Sequence, residues 1–208
     1  MKAPALEIIN GKTVLFIMAV PMEYGDALKS RITPLMCGVG PVEAALVTGR
    51  ALLALEHQNI KPDLIISLGS AGSATLEQGE VYQAASVSYR DMDASPLGFT
   101  KGVTPFLDHP VDLPLLCPLD DVPKAKLSTG ANIVSGDAYK AIDADMVDME
   151  TFAIKRAADT FDIPLIGLRG ISDGKEELSK YEDWADYLAD IDMKLATVID
   201  KFEKACEL

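Results

Sequence analysis

Three short apolar runs, each closed off by glycine or proline, constrain this chain more than any other feature. Thr13 to Val20 reads TVLFIMAV between Gly11 and Pro21, and Leu64 to Leu68 reads LIISL between Asp63 and Gly69. Leu165 to Ile171 reads LIGLRGI after Pro164 and ends at Ser172-Asp173. Apolar runs of this length without alternation are how strands covered on both faces read. Val42 to His57 carries Ala, Leu and Val at helical spacing, and Met149 to Phe161 follows with a mixed apolar and charged pattern. The last segment sets Trp184, Tyr187, Leu188, Ile191, Leu195, Val198, Ile199 and Phe202 on one helical stripe, with Asp, Glu and Lys opposite. Strand, helix, strand in this order predicts an α/β protein with a largely parallel or mixed central sheet.

With 208 residues and 49% apolar composition, the chain can bury one substantial core, so a single domain over residues 1–208 is expected. The Pro-rich stretch from Pro96 to Pro123 has weak periodicity and reads as a loop or lid rather than core. A net charge of -13 disfavours a nucleic-acid partner or an anionic membrane surface, leaving small neutral or cationic ligands. Cys37, Cys117 and Cys206 are odd in number and lack C-x-x-C spacing, which suggests neither disulfides nor zinc and fits a reducing cytosol. The start, MKAPALEIIN, has no continuous apolar core, and no later run reaches the roughly 20 residues of a spanning helix. A soluble cytoplasmic protein is expected.

Ligands of such sheets sit beyond the carboxyl ends of the strands, which directs attention to Pro21-Met22-Glu23, Gly69-Ser70-Ala71-Gly72 and Arg169 to Asp173. Glu23 follows a strand, Glu150 opens a helix and Asp173 closes a strand; together they could form an acid/base site, and singly each could be a cap or a solvated charge. The turns Cys37-Gly38-Val39-Gly40 and Gly69-Ser70-Ala71-Gly72 allow close backbone approach, but neither has the spacing of a dinucleotide loop or the lysine of a P-loop. Asp91, Asp93 and the acids from Asp143 to Asp148 lack EF-hand spacing and read as solvated loops. His57 and His109 read as structural or exposed, with no nucleophile partner.

The stretches AVPMEYGDAL, CGVGPVEAA, KPDLIISLGSAGS, YRDMDA, IVSGDAYK, VDMETFAI and IPLIGLRGISDG resemble, in chain order, the 5′-methylthioadenosine/S-adenosylhomocysteine nucleosidases of the purine nucleoside phosphorylase superfamily. The resemblance implies a single domain with a twisted mixed sheet surrounded by helices, a homodimer, no cofactor, no metal, and hydrolysis of the N-glycosidic bond of an adenine nucleoside. It makes Glu23 the group that activates water, with Ser70, Ala71, Gly72 and Arg169 lining the pocket. Glu150 would hold the ribose hydroxyls with Met149 beneath the sugar, and Asp173 would protonate adenine N7, oriented by Ser172. Tyr139 would stack on the purine beside Lys140, Tyr181 would flank the 5′ substituent, and Leu97 and Phe99 would close the 5′ pocket of the partner subunit. One departure stands out: the interval from Glu23 to Cys37 is too short for the β-hairpin usual in the family.

The chemistry explains these residue types. The bond breaks through a cationic sugar, so the purine leaves readily only if an acid neutralises the charge growing on its ring. Burial would raise Asp173 for that task, while Glu23 must be ionised to polarise water. A phosphorylase would need arginines to hold phosphate, and a carboxylate at Glu23 would repel the dianion. Futalosine hydrolase is a second hydrolytic reading, and a non-catalytic nucleoside-binding module is a reading from another class.

Overall fold

The computed structural model describes residues 3–174 and 187–204. The first apolar run forms β2 (Lys12–Met18), preceded by β1 (Glu7–Ile9) and followed by a single 3-10 turn, Pro21–Glu23. Where the family has its hairpin stand a four-residue helix, α1 (Asp26–Lys29), and a two-residue strand, β3 (Leu35–Met36), parallel to β2. Then come α2 (Pro41–Glu56), β4 (Leu64–Gly72), β5 (Val81–Tyr89), β6 (Leu113–Pro114), β7 (Lys124–Thr129), β8 (Met146–Asp148), α3 (Thr151–Asp159), β9 (Leu165–Asp173) and α4 (Leu188–Lys204). Two strands outrun their apolar cores: β4 and β9 stay paired in parallel through Ser70, Ala71 and Gly72 to Asp173.

Twist carries the mixed sheet into closure. β4 pairs with β9, β9 with β5, β5 with β7, β7 with β8, and β8 returns to β4 through Gly72 and Val147. Such a ring removes the edges of its five strands. β1, β2 and β3 extend it on one side and β6 on the other.

Strand alternation divides the core. Val14, Phe16 and Met18 of β2, with Ile66, Leu68, Ile166 and Leu168, meet Ile191, Leu195, Ile199 and Phe202 of α4. Leu15, Ile17, Ile65 and Leu165 face the other way onto Leu52, Leu55, Ile154 and Ala158 of α2 and α3. Each fully buried large side chain contributes up to about 1.5–3 kcal/mol, an upper figure because the unfolded chain is already partly compact. Consecutive residues of α4 fit two places that lack a side chain: a Cβ on Gly170 would run into Ile191, and one on Gly25 into the Asp192 carboxylate.

Two expectations change here. Asp192 does not sit with the solvated charges of its helix; it is buried and accepts the N–H groups of Gly25, Ala27 and Leu28 at 3.0, 2.9 and 3.2 Å, capping α1. The stretch 96–123 is mostly irregular, yet Leu113, Leu119 and Val122 are buried, so part of it is core. Trp184 and Tyr181 lie outside the described residues.

Candidate active site

A cavity of about 720 Å³ opens where β2, β4, β8 and β9 end, and Glu23, Ser70, Ala71, Gly72, Met149, Glu150 and Asp173 all line it. The loop positions come from backbone geometry. Pro21 starts the turn that lifts Glu23 off the end of β2, and Gly69 lets the carboxyl lie over β4, since a Cβ there would come within 3.3 Å of Oε2.

Glu23 is only 8% exposed. Its Oε1 accepts the Ser70 N–H at 2.8 Å and the Ser70 hydroxyl at 2.6 Å. Oε2 has no hydrogen-bond partner among the described residues. Burial pushes Glu23 above the ordinary carboxylate range; the two Ser70 bonds and the Arg169 charge pull it back. That combination suits a base: its donors favour the charged form, while burial raises its affinity for a proton.

Glu150 precedes α3 but does not cap its own helix. Its Oε1 accepts the N–H of Gly40, at the start of α2, at 2.8 Å. Gly40 reaches this geometry with φ near 90°, which glycine adopts freely. Burial and the Asp148 charge raise Glu150, opposed by Gly40 and Arg169. Asp173 ends β9 with its backbone carbonyl on Ser73 N at 2.8 Å. Its Oδ1 accepts the Ser172 hydroxyl. Burial raises its carboxyl, with Ser172 opposing.

Other predicted residues fall elsewhere. Arg169 does not line the main cavity: it is 2% exposed and ion-paired to Asp148 at 3.0 Å. The rest of its guanidinium serves Ser67, the Leu168 carbonyl and Thr151, so it acts from behind the site through its charge. Lys140 is also displaced, its side chain 76% exposed and paired with Asp137. Ser172 reaches Asp173 rather than the cavity wall. Tyr139 stands outside the lining, its hydroxyl enclosed near Gly72 and Asp173. Leu97 and Phe99 lie in the loop beyond β5, Leu97 being 81% exposed and Phe99 packed edge-on against Phe106.

Sequence reasoning missed Asp148, Arg90 and Asp192. Asp148 gathers Arg169, Thr129 and Thr151 from three elements. Arg90, at the cavity wall, donates to the Ser128, Asp148 and Asn132 carbonyls and so ties the ends of β5, β7 and β8 together. The roles of Asp148 and Arg90 depend on strand pairing, and that of Asp192 on a helix meeting a distant turn, which no local pattern announces.

No protein-family profile matches the chain. Individual relatives do. The chain is 30% identical over 189 residues to a 5′-methylthioadenosine/S-adenosylhomocysteine nucleosidase of Listeria monocytogenes, an alignment covering 80% of this chain and 76% of that protein. The chain belongs to this nucleosidase family. A second nucleosidase, of Hydrogenovibrio crunogenus, is 29% identical over 178 residues, 74% of each chain. Solved structures share the fold. The family's nucleosidase of Colwellia psychrerythraea, in complex with adenine, superposes with a TM-score of 0.73 at 20% identity, covering 94% of this chain and 98% of that one. Futalosine hydrolase of Helicobacter pylori superposes at 0.77 with 17% identity, covering 92% and 97%.

Proposed function

We propose that the cavity hydrolyses the N-glycosidic bond of 5′-methylthioadenosine and S-adenosylhomocysteine, releasing adenine and a thioribose product. The observation that carries this reading is the arrangement of Glu23, Glu150 and Asp173 around one cavity, each carboxyl raised by burial. Glu23 Oε2 is the oxygen available to orient water, and Glu23 takes the proton that water loses. Glu150 binds the ribose hydroxyls and stabilises the cationic sugar, with Met149 beneath it. Asp173 protonates the purine as it leaves, Ser172 fixing its orientation. Tyr139 lies outside the lining and reaches the Gly72 and Asp173 end of the site through its hydroxyl. Arg169 contributes charge, not contact.

A phosphorylase reading is disfavoured by the same geometry. Arg169 is committed to Asp148 and Arg90 to three carbonyls, while Glu23 sits where a phosphate dianion would have to approach. Futalosine is a second substrate to assay, because its hydrolase in Helicobacter pylori shares the fold.

A homodimer completes the pocket in this reading. Leu97, 81% exposed, and Phe106, 95% exposed and packed edge-on against Phe99, are the apolar side chains this reading places at the partner subunit. Among the described residues no helix is long and apolar enough to cross a membrane. We assign the activity to the cytoplasm, where the free thiols of Cys37 and Cys117 are stable. The test is adenine release from 5′-methylthioadenosine, S-adenosylhomocysteine, adenosine and futalosine, with and without phosphate, alongside sedimentation. Phosphate-independent release with a free sugar supports the reading; strict phosphate dependence with a sugar 1-phosphate overturns it.

A further inference from the structure

The Tyr139 hydroxyl is enclosed by protein but has no hydrogen-bond partner among the described residues. It stands over Gly72, where a Cβ would overlap it and would also come within 2.9 Å of Asp173 Oδ2. Asp173 Oδ1 already receives the Ser172 hydroxyl, and Oδ2 is the oxygen that lies beside the same point above Gly72 as the Tyr139 hydroxyl. Glycine at position 72 thus keeps open the gap across which the phenol and the carboxyl face each other. An enclosed hydroxyl left unpaired is destabilising, so its placement calls for a partner within the site.

We propose that Tyr139 is a positioning residue for the acid: its hydroxyl, unpaired in the resting site, closes onto Asp173 Oδ2 and donates to the carboxylate formed when the purine is protonated. This goes beyond ring stacking and rests on Asp173 being the acid. In the step, the C–N bonding pair goes to the purine and the Asp173 proton passes to a purine nitrogen. Water adds to the sugar carbon and its proton goes to Glu23; Glu23 then releases that proton to solvent and solvent returns one to Asp173. The Tyr139 proton stays on its oxygen throughout.

The surroundings agree. Burial and the Asp173 charge raise Tyr139 well above the usual phenol range, which favours its neutral, donating form. Arg90, from the end of β5, opposes that shift. For Asp173 the influences are burial, which raises it, and Ser172, which lowers it. Among the described residues, Glu23, Asp148, Glu150 and Arg90 line the same cavity as Asp173.

Tyr139→Phe keeps the ring and removes the donor. Rate against pH is measured for 5′-methylthioadenosine with this variant and, in parallel, with Asp173→Asn, each well below its melting transition. Losing a donor to the ionised form raises the acid's pKa, so the alkaline limb should move up by about half to one pH unit. Turnover should fall about ten-fold, with KM within about two-fold of the parent. A Tyr139→Phe profile and turnover matching the parent, or a change in KM alone, overturns the proposal. If Asp173→Asn stays active, the acid assignment falls and this inference with it; if it is inactive while Tyr139→Phe matches the parent, only the inference falls.

Discussion

Gly72→Ala is the substitution that tests the geometry of the site most directly. A Cβ at Gly72 would overlap the Tyr139 hydroxyl, come within 2.9 Å of Asp173 Oδ2 and press to 3.4 Å of Val147 Cγ2. The first two contacts lie roughly 0.5 Å to more than 1 Å inside normal van der Waals separation, so both groups must move. Overpacking of this kind costs about 1–3 kcal/mol. Because the backbone here is tied by the Ser73 N–H to the Asp173 carbonyl at 2.8 Å, the side chains must yield instead. A displacement of about 1 Å at a reacting group lowers turnover by about a hundred-fold. Urea denaturation would read the first effect and adenine release the second. Adding Tyr139→Phe removes the worse overlap and should recover part of the stability while leaving turnover low, since Asp173 is still displaced. A Gly72→Ala protein with parental turnover would refute the claim that the Asp173 carboxyl must stay where it is.

Stability should fall as pH rises from the ordinary carboxylate range towards about 7, where Glu150 titrates when folded. Glu23, Glu150 and Asp173 hold protons more tightly folded than unfolded, so the folded chain binds more protons from the ordinary carboxylate range, about pH 4–4.5, up to their raised values. Their stabilisation is complete at the acid end of that window and is lost as pH rises through it; melting scans should show this slope and Glu150→Gln should flatten it, whereas a melt that climbs with pH would contradict the assignment. Arg169→Met strands the Asp148 carboxylate in the interior and should cost about 3 kcal/mol in denaturant titration, a loss under about 1 kcal/mol counting against the pair. Asp192→Ala orphans three N–H groups beside the Glu23 turn and should cost about 1–3 kcal/mol, with Asp192→Asn milder because one acceptor oxygen remains; equal losses would argue against the cap.

What could be read from sequence was what burial on two faces imposes. β2, β4 and β9 announced themselves because both faces of each strand are covered, and α2 because its spacing is regular. β5 did not, since its sequence VYQAASVSY mixes polar and small residues. Gln83 shows why: fully buried, it bonds the Leu119 and Val122 carbonyls and the Leu119 N–H, so a polar side chain serves an internal loop. The three acids were legible from their resemblance to known motifs. Arg169 was legible as a residue but not in its direction, because its partner Asp148 is 21 positions away and is brought near by β4, which pairs with both β8 and β9. Asp192 looked like one more surface charge because helical spacing cannot show that a turn from another part of the chain lies above it.

That turn and its neighbour give α4 a property of their own. Ile191 and Asp192 are adjacent, yet one seats at Gly170 on the strand that ends in Asp173 and the other at Gly25, two residues after Glu23. Removing or adding one residue between Leu188 and Ile191 would rotate everything before the change by about 100° relative to everything after it. The helix could then keep its downstream contacts only by losing its connection to Tyr187, or keep that connection only by unseating both adjacent residues. Insertions and deletions between Tyr187 and Phe202 should therefore be rejected.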